Sequence, residues 1–248
     1  MGNALSFWKS KTVWLTNKWS GVAGMDIAVD LWKVFLKSLG CDVVVHSYSF
    51  TEWAEPAQRM LARMPTEHLF DNIEMQYPES LINQLSKKQA ELRKEYLARI
   101  RAPGVGAGAR CRLKREFSHR FQQYVEEVLT TTSTTAPLVA PCLYHDGCCC
   151  ITPPNVAHDD VIWIDRGSPP CQSWSARGQR LNWLCPTNIP TILWAHFLSK
   201  GDPKPHIVFG EDVPSFGLGW WKTLSPAYQW HDATVGPWHI GIPVSGDR

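Results

Sequence analysis

Short apolar runs flank a longer amphipathic stretch near the start of the chain. Residues 12–15 and 42–46 are compact runs of β-branched and apolar side chains, which predict buried strands. Between them, residues 26–39 carry apolar side chains at roughly helical spacing, and Gly40 is placed to end that helix. A strand, a glycine-containing loop, a helix and a second strand make a βαβ unit. This region therefore predicts a parallel sheet.

The pattern then changes from sheet-like to strongly helical. We expect a helix over residues 55–63 and a short strand over 67–73. Residues 84–101 and 113–129 are charge-rich helical stretches separated by a Gly/Pro/Ala break, and a Thr-rich linker over 130–137 follows them. These stretches predict a helical insertion that either packs on the sheet or hangs from it.

The sheet pattern resumes after the linker. Residues 161–164 and 206–209 predict two more buried strands, and residues 189–198 predict a helix between them. The loops that follow the two strands contain a cysteine and two acids. Because open parallel sheets place their active sites at the carboxyl ends of the strands, these loops are the candidate site.

These elements predict an α/β fold, with helices on both faces of the sheet and a helical insertion in the chain. We expect the segments to be 1–73, 74–137 and 138–248. The chain is 44% hydrophobic and 19% charged, which is ordinary for a folded protein. No stretch approaches the roughly 18 apolar residues of a membrane helix, and no secretion signal is evident, so we expect no membrane partner. Eight cysteines without an export signal indicate free thiols.

The first loop presents a cysteine in a rigid setting. Pro169 and Pro170 fix the backbone just ahead of Cys171, which makes this thiol a candidate nucleophile. The segment 169–175, PPCQSWS, resembles the Pro-Cys-Gln motif of the cytosine carbon-5 methyltransferases. The resemblance covers roughly residues 12–73 and 159–248. It implies a Rossmann-like sheet that binds S-adenosylmethionine.

Two other segments carry the same resemblance. Residues 209–213, FGEDV, resemble the family's Glu-Asn-Val motif, with Glu211 retained and Asp212 in place of the asparagine. Two adjacent acids are expected to raise the pKa of one of them. Residues 19–25 resemble the glycine loop that holds S-adenosylmethionine. The resemblance implies cofactor contacts from Trp19, Ser20, Gly21, Val22, Gly24, Met25, Pro169 and, as the ribose-binding acid, Glu52. For Glu52 the alternative is a plain surface acid.

A fainter match lies at the end of the chain, where residues 241–248 resemble the start of the family's Gln-x-Arg-x-Arg motif. Val244 and Gly246 occupy the Gln and first Arg positions, and Arg248 is the candidate contact to the target base or its phosphate. The match stops before the family's target-recognition region and final motif. Either the chain is a fragment or a partner chain supplies those parts.

The resemblance implies a DNA (cytosine-5-)-methyltransferase in which Cys171 adds to the pyrimidine and Glu211 protonates it, with the target nucleotide flipped out of the duplex. Residues 1–73 would then be the cofactor-binding half and 138–248 the catalytic half. DNA is favoured over RNA as the partner, in the nucleus of a eukaryote or otherwise in the cytoplasm. The alternatives are an RNA cytosine methyltransferase and a catalytically impaired fragment that binds cofactor or nucleic acid.

Two further features lie in and after the insertion. Residues 142–150 contain Cys142, His145 and a triplet of cysteines, but their spacing is cramped compared with paired zinc knuckles. We expect no metal there, and structural zinc is the alternative. Residues 84–120 hold eleven Lys or Arg against three Glu, which suits either a phosphate-tracking surface or a solvated helix face.

Overall fold

The computed structural model describes residues 7–8, 10–19, 33–131, 136–175, 180–213 and 215–234. The strands within these ranges are β1 (Thr12–Lys18), β2 (Val44–Thr51), β3 (His68–Phe70), β4 (Val139–Pro141), β5 (Cys148–Cys150), β6 (Val161–Gly167) and β7 (Ile207–Gly210). The helices with defined bounds are α1 (Glu55–Leu61), α2 (Glu79–Ile100), α3 (Ala107–Thr131), α4 (Ile189–Lys200) and α5 (Leu218–Leu224).

Five of the strands form one parallel sheet in the order β3-β2-β1-β6-β7. The chain runs outward from β1 to β2 and β3 on one side, and it later returns to β6 and β7 on the other. Such a reversal is a topological switch point, where the loops at the carboxyl ends diverge and leave a crevice. The prediction of an α/β fold built on a parallel sheet is confirmed.

Most strands extend further than their apolar runs. The strand predicted over residues 12–15 continues to Lys18, and the one predicted over 161–164 continues to Gly167. The added residues of both strands are buried although several are polar or charged. Hydrophobic pattern alone ends a strand at its first polar residue, so it missed these positions. The strand predicted over 67–73 is shorter, because a 3-10 turn begins at Ile73.

The sheet has helices on opposite faces. Neighbouring residues of a strand point to opposite sides, so Leu69 and Phe70 identify the two faces of β3. Leu69 packs with Leu61 of α1, whereas Phe70 belongs to the large core that also contains side chains of α2, α3 and α4. The α1 helix therefore covers one face, and the other three helices cover the opposite one.

The α2 and α3 helices form an antiparallel hairpin that is packed against the rest of the protein. The side-chain amide of Gln89 in α2 donates to the carbonyls of Trp183 and Cys185, at 2.8 and 2.9 Å. The hydroxyl of Tyr77, just before α2, donates to the carbonyl of Leu193 in α4 at 2.8 Å. The two charge-rich helices are therefore packed against α4 and the loop before it and do not hang free of the rest of the protein.

Part of the helix predicted over residues 26–39 lies within the described residues. Residues 33–38 are helical, and Gly40 follows with a positive φ of 76°, a conformation that commonly terminates helices. The remainder of that prediction falls on residues 26–32, outside the described ranges. Within the described part of the chain, no helix is both long and apolar enough to span a bilayer.

Candidate active site

The carboxyl ends of four adjacent strands bring the described members of the predicted site to one end of the sheet; these are Trp19, Glu52, Pro169, Cys171 and Glu211. Backbone hydrogen bonds continue past the strands: Trp19 N–H donates to the Thr51 carbonyl at 2.8 Å, and Ser168 N–H donates to the Lys18 carbonyl at 3.3 Å. On the far side, Glu211 N–H donates to the Gly167 carbonyl at 3.0 Å. The start of each loop is thus fixed to its neighbour.

The Cys171 loop is anchored by hydrogen bonds to the residue before α4, while Cys171 itself is exposed to solvent. Residues Cys171–Ser173 form a single 3-10 turn in which Cys171 is exposed. Ser173 Oγ donates to Asn188 Oδ1 at 3.0 Å, and the indole N–H of Trp174 donates to the same oxygen at 3.3 Å. Asn188 directly precedes α4, whose first ten residues are buried. The thiol is therefore presented to solvent on a well-anchored turn.

The Glu211 loop is tied to the Cys171 loop. Glu211 is exposed, whereas Asp212 is partly buried and its Oδ1 accepts the N–H of Val213 at 2.6 Å. Burial, with a smaller contribution from the neighbouring Glu211, raises the pKa of Asp212 to about 6. The predicted pKa rise is thus confirmed, with burial as its larger cause. Ser215 Oγ donates to the Trp174 carbonyl at 2.9 Å, which links the two loops a second time.

A cavity of about 440 Å³ opens beside these loops. It is walled by aromatic rings and by two of the predicted site residues; the lining includes Pro169, Trp194, Glu211, Phe216, Trp221 and Trp230. Aromatic walls with a few polar groups suit a flat, partly polar ring. Cys171 is described but is not among the lining residues, so the structure brings Pro169 and Glu211 together at the cavity and leaves the thiol outside it.

Trp194 of α4 joins the two halves of the site. Its ring meets that of Trp19 edge-to-face with centroids 5.6 Å apart, and its indole N–H donates to Asp165 Oδ2 at 2.6 Å. Sequence reasoning placed this residue in a helix but gave it no role. An apolar stretch of α4 has no period that distinguishes one buried tryptophan, so only the packing reveals its position.

Beneath Trp194 lies a buried pair of ionisable residues, Lys18 and Asp165. Burial lowers the pKa of Lys18 and raises that of Asp165, so desolvation outweighs the mutual attraction that opposes both shifts. Asp165 also accepts from the Thr16 hydroxyl. Among the described residues, Lys18 Nζ has no hydrogen-bond partner; it lies 5.4 Å from the centroid of the Phe197 ring.

The predicted cofactor residues are only partly within the described ranges. Glu52, which follows β2, is 4% exposed, and its Oε1 accepts the N–H of Ala54 at 2.9 Å. The alternative of a plain surface acid is therefore wrong. Trp19 has a positive φ of 55°, which is uncommon for a residue with a side chain and marks a sharp turn after β1. The other predicted contacts lie outside the described residues: Ser20, Gly21, Val22, Gly24, Met25 and, at the chain's end, Arg248.

The basic hairpin is only partly neutralised. Arg99 and Arg120 both reach Glu95, with nitrogen–oxygen distances of 3.0 and 3.2 Å, and both guanidinium groups lie over the Phe117 ring. The other two glutamates of this segment also face basic side chains. The two helices and the turn between them also carry exposed lysines and arginines that form no ion pair with any acid in the described ranges; they are Lys87, Lys94, Arg101, Arg110, Arg112 and Arg115.

The cysteine-rich segment 142–150 contacts a histidine of the parallel sheet. Cys142, His145 and Cys149 meet His68, the first residue of β3, and one ligand atom from each lies within 4.8 Å of the others. Cys142 is buried, His145 is exposed, and the other two are intermediate. Sequence reasoning missed His68, because it lies 74 residues before Cys142 in the chain.

Comparisons with protein-family models, curated proteins and solved structures find no match for this chain.

Proposed function

We propose that this chain is a Rossmann-like, S-adenosylmethionine-dependent methyltransferase that acts on carbon 5 of cytosine in DNA. Cys171 is the nucleophile in this proposal, and Glu211 is the acid that holds the ring. The observation that carries it is the double link between their loops, from Glu211 N–H to the Gly167 carbonyl and from Ser215 to Trp174, at 3.0 and 2.9 Å.

Strand order supports the same assignment. The loops with Cys171 and Glu211 follow the adjacent strands β6 and β7, and those with Trp19 and Glu52 follow β1 and β2. All four strands are parallel, so a cofactor over β1 and β2 and a base over β6 and β7 would share one crevice. Trp194, which touches Trp19 and lines the cavity beside Glu211, lies between these two halves.

The chemistry requires few groups from the protein. The thiolate of Cys171 adds to carbon 6 of the ring, and the electron pair of the broken double bond makes carbon 5 nucleophilic. Glu211 donates a hydrogen bond or proton to ring nitrogen 3, which relieves the charge that addition creates. After carbon 5 is methylated, its proton passes to a water molecule, and the electrons of that carbon–hydrogen bond re-form the 5,6 double bond. The carbon–sulfur bond breaks, Cys171 leaves as a thiolate, and ring nitrogen 3 returns its proton to Glu211. A cytosine in a duplex must be extruded before the thiol can reach carbon 6.

The described residues fit the proposed cofactor at one point. A buried carboxylate, Glu52, stands at the end of β2 beside the end of β1, where nucleotide-binding sheets place the acid that receives ribose hydroxyls. S-adenosylmethionine, when bound, would supply the methyl group in electrophilic form. The exposed basic side chains of α2 and α3 suit a phosphate backbone, which supports nucleic acid as the substrate.

Covalent trapping tests the proposal. An oligonucleotide with 5-fluorocytosine keeps the enzyme attached, because fluorine at carbon 5 cannot leave as a proton does. In the presence of S-adenosylmethionine, we expect the wild-type chain to form a denaturant-resistant adduct with DNA. Cys171→Ala is expected to form none, and Cys111→Ala, which removes another exposed cysteine, is expected to retain it.

The same assay distinguishes DNA from RNA as the substrate and an enzyme from a non-catalytic binding module. An adduct with RNA alone would replace DNA by RNA as the substrate. Cofactor binding without any adduct, on either nucleic acid, would favour a non-catalytic binding module. An adduct that persists in Cys171→Ala would rule out this cysteine as the nucleophile.

A further inference from the structure

Four side chains of the types that bind metals converge beside β3, the edge strand of the sheet that is farther from Cys171. Cys142 Sγ and Cys149 Sγ each lie 3.3 Å from His145 Nδ1, and Cys142 Sγ lies 3.8 Å from His68 Nδ1. All four ligand atoms lie within 4.8 Å of one another. We propose that His68, Cys142, His145 and Cys149 together bind one structural Zn²⁺.

The distances match a tetrahedral site. Zinc binds thiolate sulfur at about 2.3 Å and imidazole nitrogen at about 2.0 Å, so tetrahedral ligand atoms lie roughly 3.3–3.8 Å from each other. The three measured separations, 3.3, 3.3 and 3.8 Å, fall within that range. Two thiolates and two imidazoles are also a ligand set that structural zinc sites use, and four protein ligands leave no open position for catalysis.

Backbone hydrogen bonds fix the positions of the four candidate ligand residues. Cys142 N–H donates to the Gly147 carbonyl at 3.1 Å, and Gly147 has a φ of 113°, which closes a tight loop that presents His145. Leu143 N–H donates to the Leu69 carbonyl at 2.7 Å, directly beside His68. These bonds fix the loop to β3, so the histidine from β3 and the ligands from the loop meet in one place.

Strand geometry selects one cysteine from the triplet. In the β5 strand, Cys148, Cys149 and Cys150 point alternately to opposite sides. Cys149 is partly buried beside His145, whereas Cys148 and Cys150 are both exposed. The sequence treats these three thiols as equivalent, and the pairing of β5 with β4 distinguishes them. The two outer cysteines are therefore matched controls.

The position of the site indicates its role. Its His68 lies on β3, and two strands separate β3 from β6, which precedes Cys171. Three strand spacings amount to roughly 14 Å, which is too far for a metal to touch the reacting ring. Zinc here would instead fasten the β4–β5 hairpin to the edge strand β3. That fastening would cover part of an edge that is otherwise open to pairing with another chain.

The test uses the full chain and measures metal directly. Protein purified without chelator is expected to contain about one zinc per chain by elemental mass spectrometry. Cys149→Ser and His68→Asn are expected to lose most of it, to below about 0.2 per chain, because each removes one of four ligands. Cys148→Ser and Cys150→Ser are expected to keep the wild-type content.

Cobalt keeps the test valid if a variant folds poorly. Wild-type protein that has been stripped of metal and titrated with Co²⁺ is expected to show the intense visible absorption of a tetrahedral, thiolate-bound ion. Wild-type protein with neither zinc nor this absorption would overturn the proposal. So would equal metal loss from Cys148→Ser and Cys149→Ser, or a Cys142–Cys149 disulfide in the protein as purified.

Discussion

The indole of Trp194 lies directly against Gly167, the last residue of β6. A Cβ atom added to that glycine would lie 2.7 Å from Trp194 Cη2 and 2.9 Å from two further ring atoms. Gly167 is paired in register with Gly210 of β7, so two small residues make the space in which the ring sits. The same ring touches Trp19 and borders the cavity beside Glu211, and the contact therefore fixes the floor of the candidate site.

Gly167→Ala is expected to destabilise the protein. The ring that its methyl group would meet is buried and held by a hydrogen bond to Asp165, so it cannot move aside cheaply. Overpacking of this kind costs about 1–3 kcal/mol, which urea unfolding would measure. Gly210→Ala is the matched control, since its Cβ would lie an ordinary 3.7 Å from the same ring. Equal losses in the two variants would contradict the close contact at Gly167.

Asp212→Asn is expected to stabilise the protein above about pH 6. The pKa of Asp212 is raised from 3.8 to about 6, so the folded protein holds a proton that the unfolded chain releases. Stability is therefore highest below about pH 4 as far as this group is concerned, and it falls as the pH rises to about 6. Because the group is partly exposed, solvent screening reduces the gain from its removal to about 1–2 kcal/mol at pH 8.

Unfolding at a series of pH values would show this effect of Asp212. The wild-type curve is expected to lose stability between about pH 4 and 6, and the Asp212→Asn curve to lose less. The amide oxygen introduced by this substitution can still accept the N–H of Val213, so the local turn is kept. Asp42→Asn, which changes an exposed carboxylate, is the control. Identical pH profiles for wild type and Asp212→Asn would be inconsistent with a raised pKa at this position.

Asp165→Asn is expected to destabilise the protein by about 3 kcal/mol. The change leaves Lys18 buried without its acidic neighbour. Asp165 accepts one hydrogen bond at each carboxylate oxygen, from Thr16 and from Trp194, and an asparagine can replace only one of these oxygens. If that oxygen faces Thr16, the amide N–H group faces the indole N–H of Trp194, and two donors oppose each other. In the double variant with Lys18→Met, at least half of the loss is expected to return, because no buried amine remains. Thermal or urea unfolding of the wild type, the two single variants and the double variant gives the coupling free energy between Lys18 and Asp165. Simple additivity would show that the two residues do not interact.

Glu52→Gln is expected to weaken S-adenosylmethionine binding about tenfold, since an amide is a poorer acceptor for ribose hydroxyls than a carboxylate. This prediction depends on the proposed function. Titration calorimetry of the folded proteins would measure it, with Glu55→Gln as the control because Glu55 is an exposed acid three residues along. Unchanged affinity in Glu52→Gln would remove this residue from the cofactor site.

Local pattern located most of the elements that build the site. The apolar runs near residues 12, 44, 161 and 207 identified four strands. The diproline before Cys171 predicts a rigid loop there. Helix ends were less accurate: α2 begins at Glu79 and α3 ends at Thr131, both outside the predicted bounds. Helix ends depend on capping and packing partners as well as on the local apolar period.

The local hydrophobic pattern of the sequence could not predict which distant residues contact each other. His68 meets Cys142 only because β3 and the loop after β4 are hydrogen-bonded to each other. Trp194 meets Gly167 only because α4 crosses the face of the sheet below β6. Neither pair shares a motif, a spacing or a period that could be read along the chain.

The sequence by itself determined where the five strands of the parallel sheet occur, because side-chain periodicity and proline act over a few residues, but it gave no sign of β4 and β5. It therefore placed Cys171 and Glu211 each behind a strand. Only the tertiary structure decided that these strands are neighbours, that Glu52 is buried, and that Cys149 faces two histidines. Those outcomes follow from strand order and face, which depend on how the whole core packs, and core packing is a property of many distant residues at once.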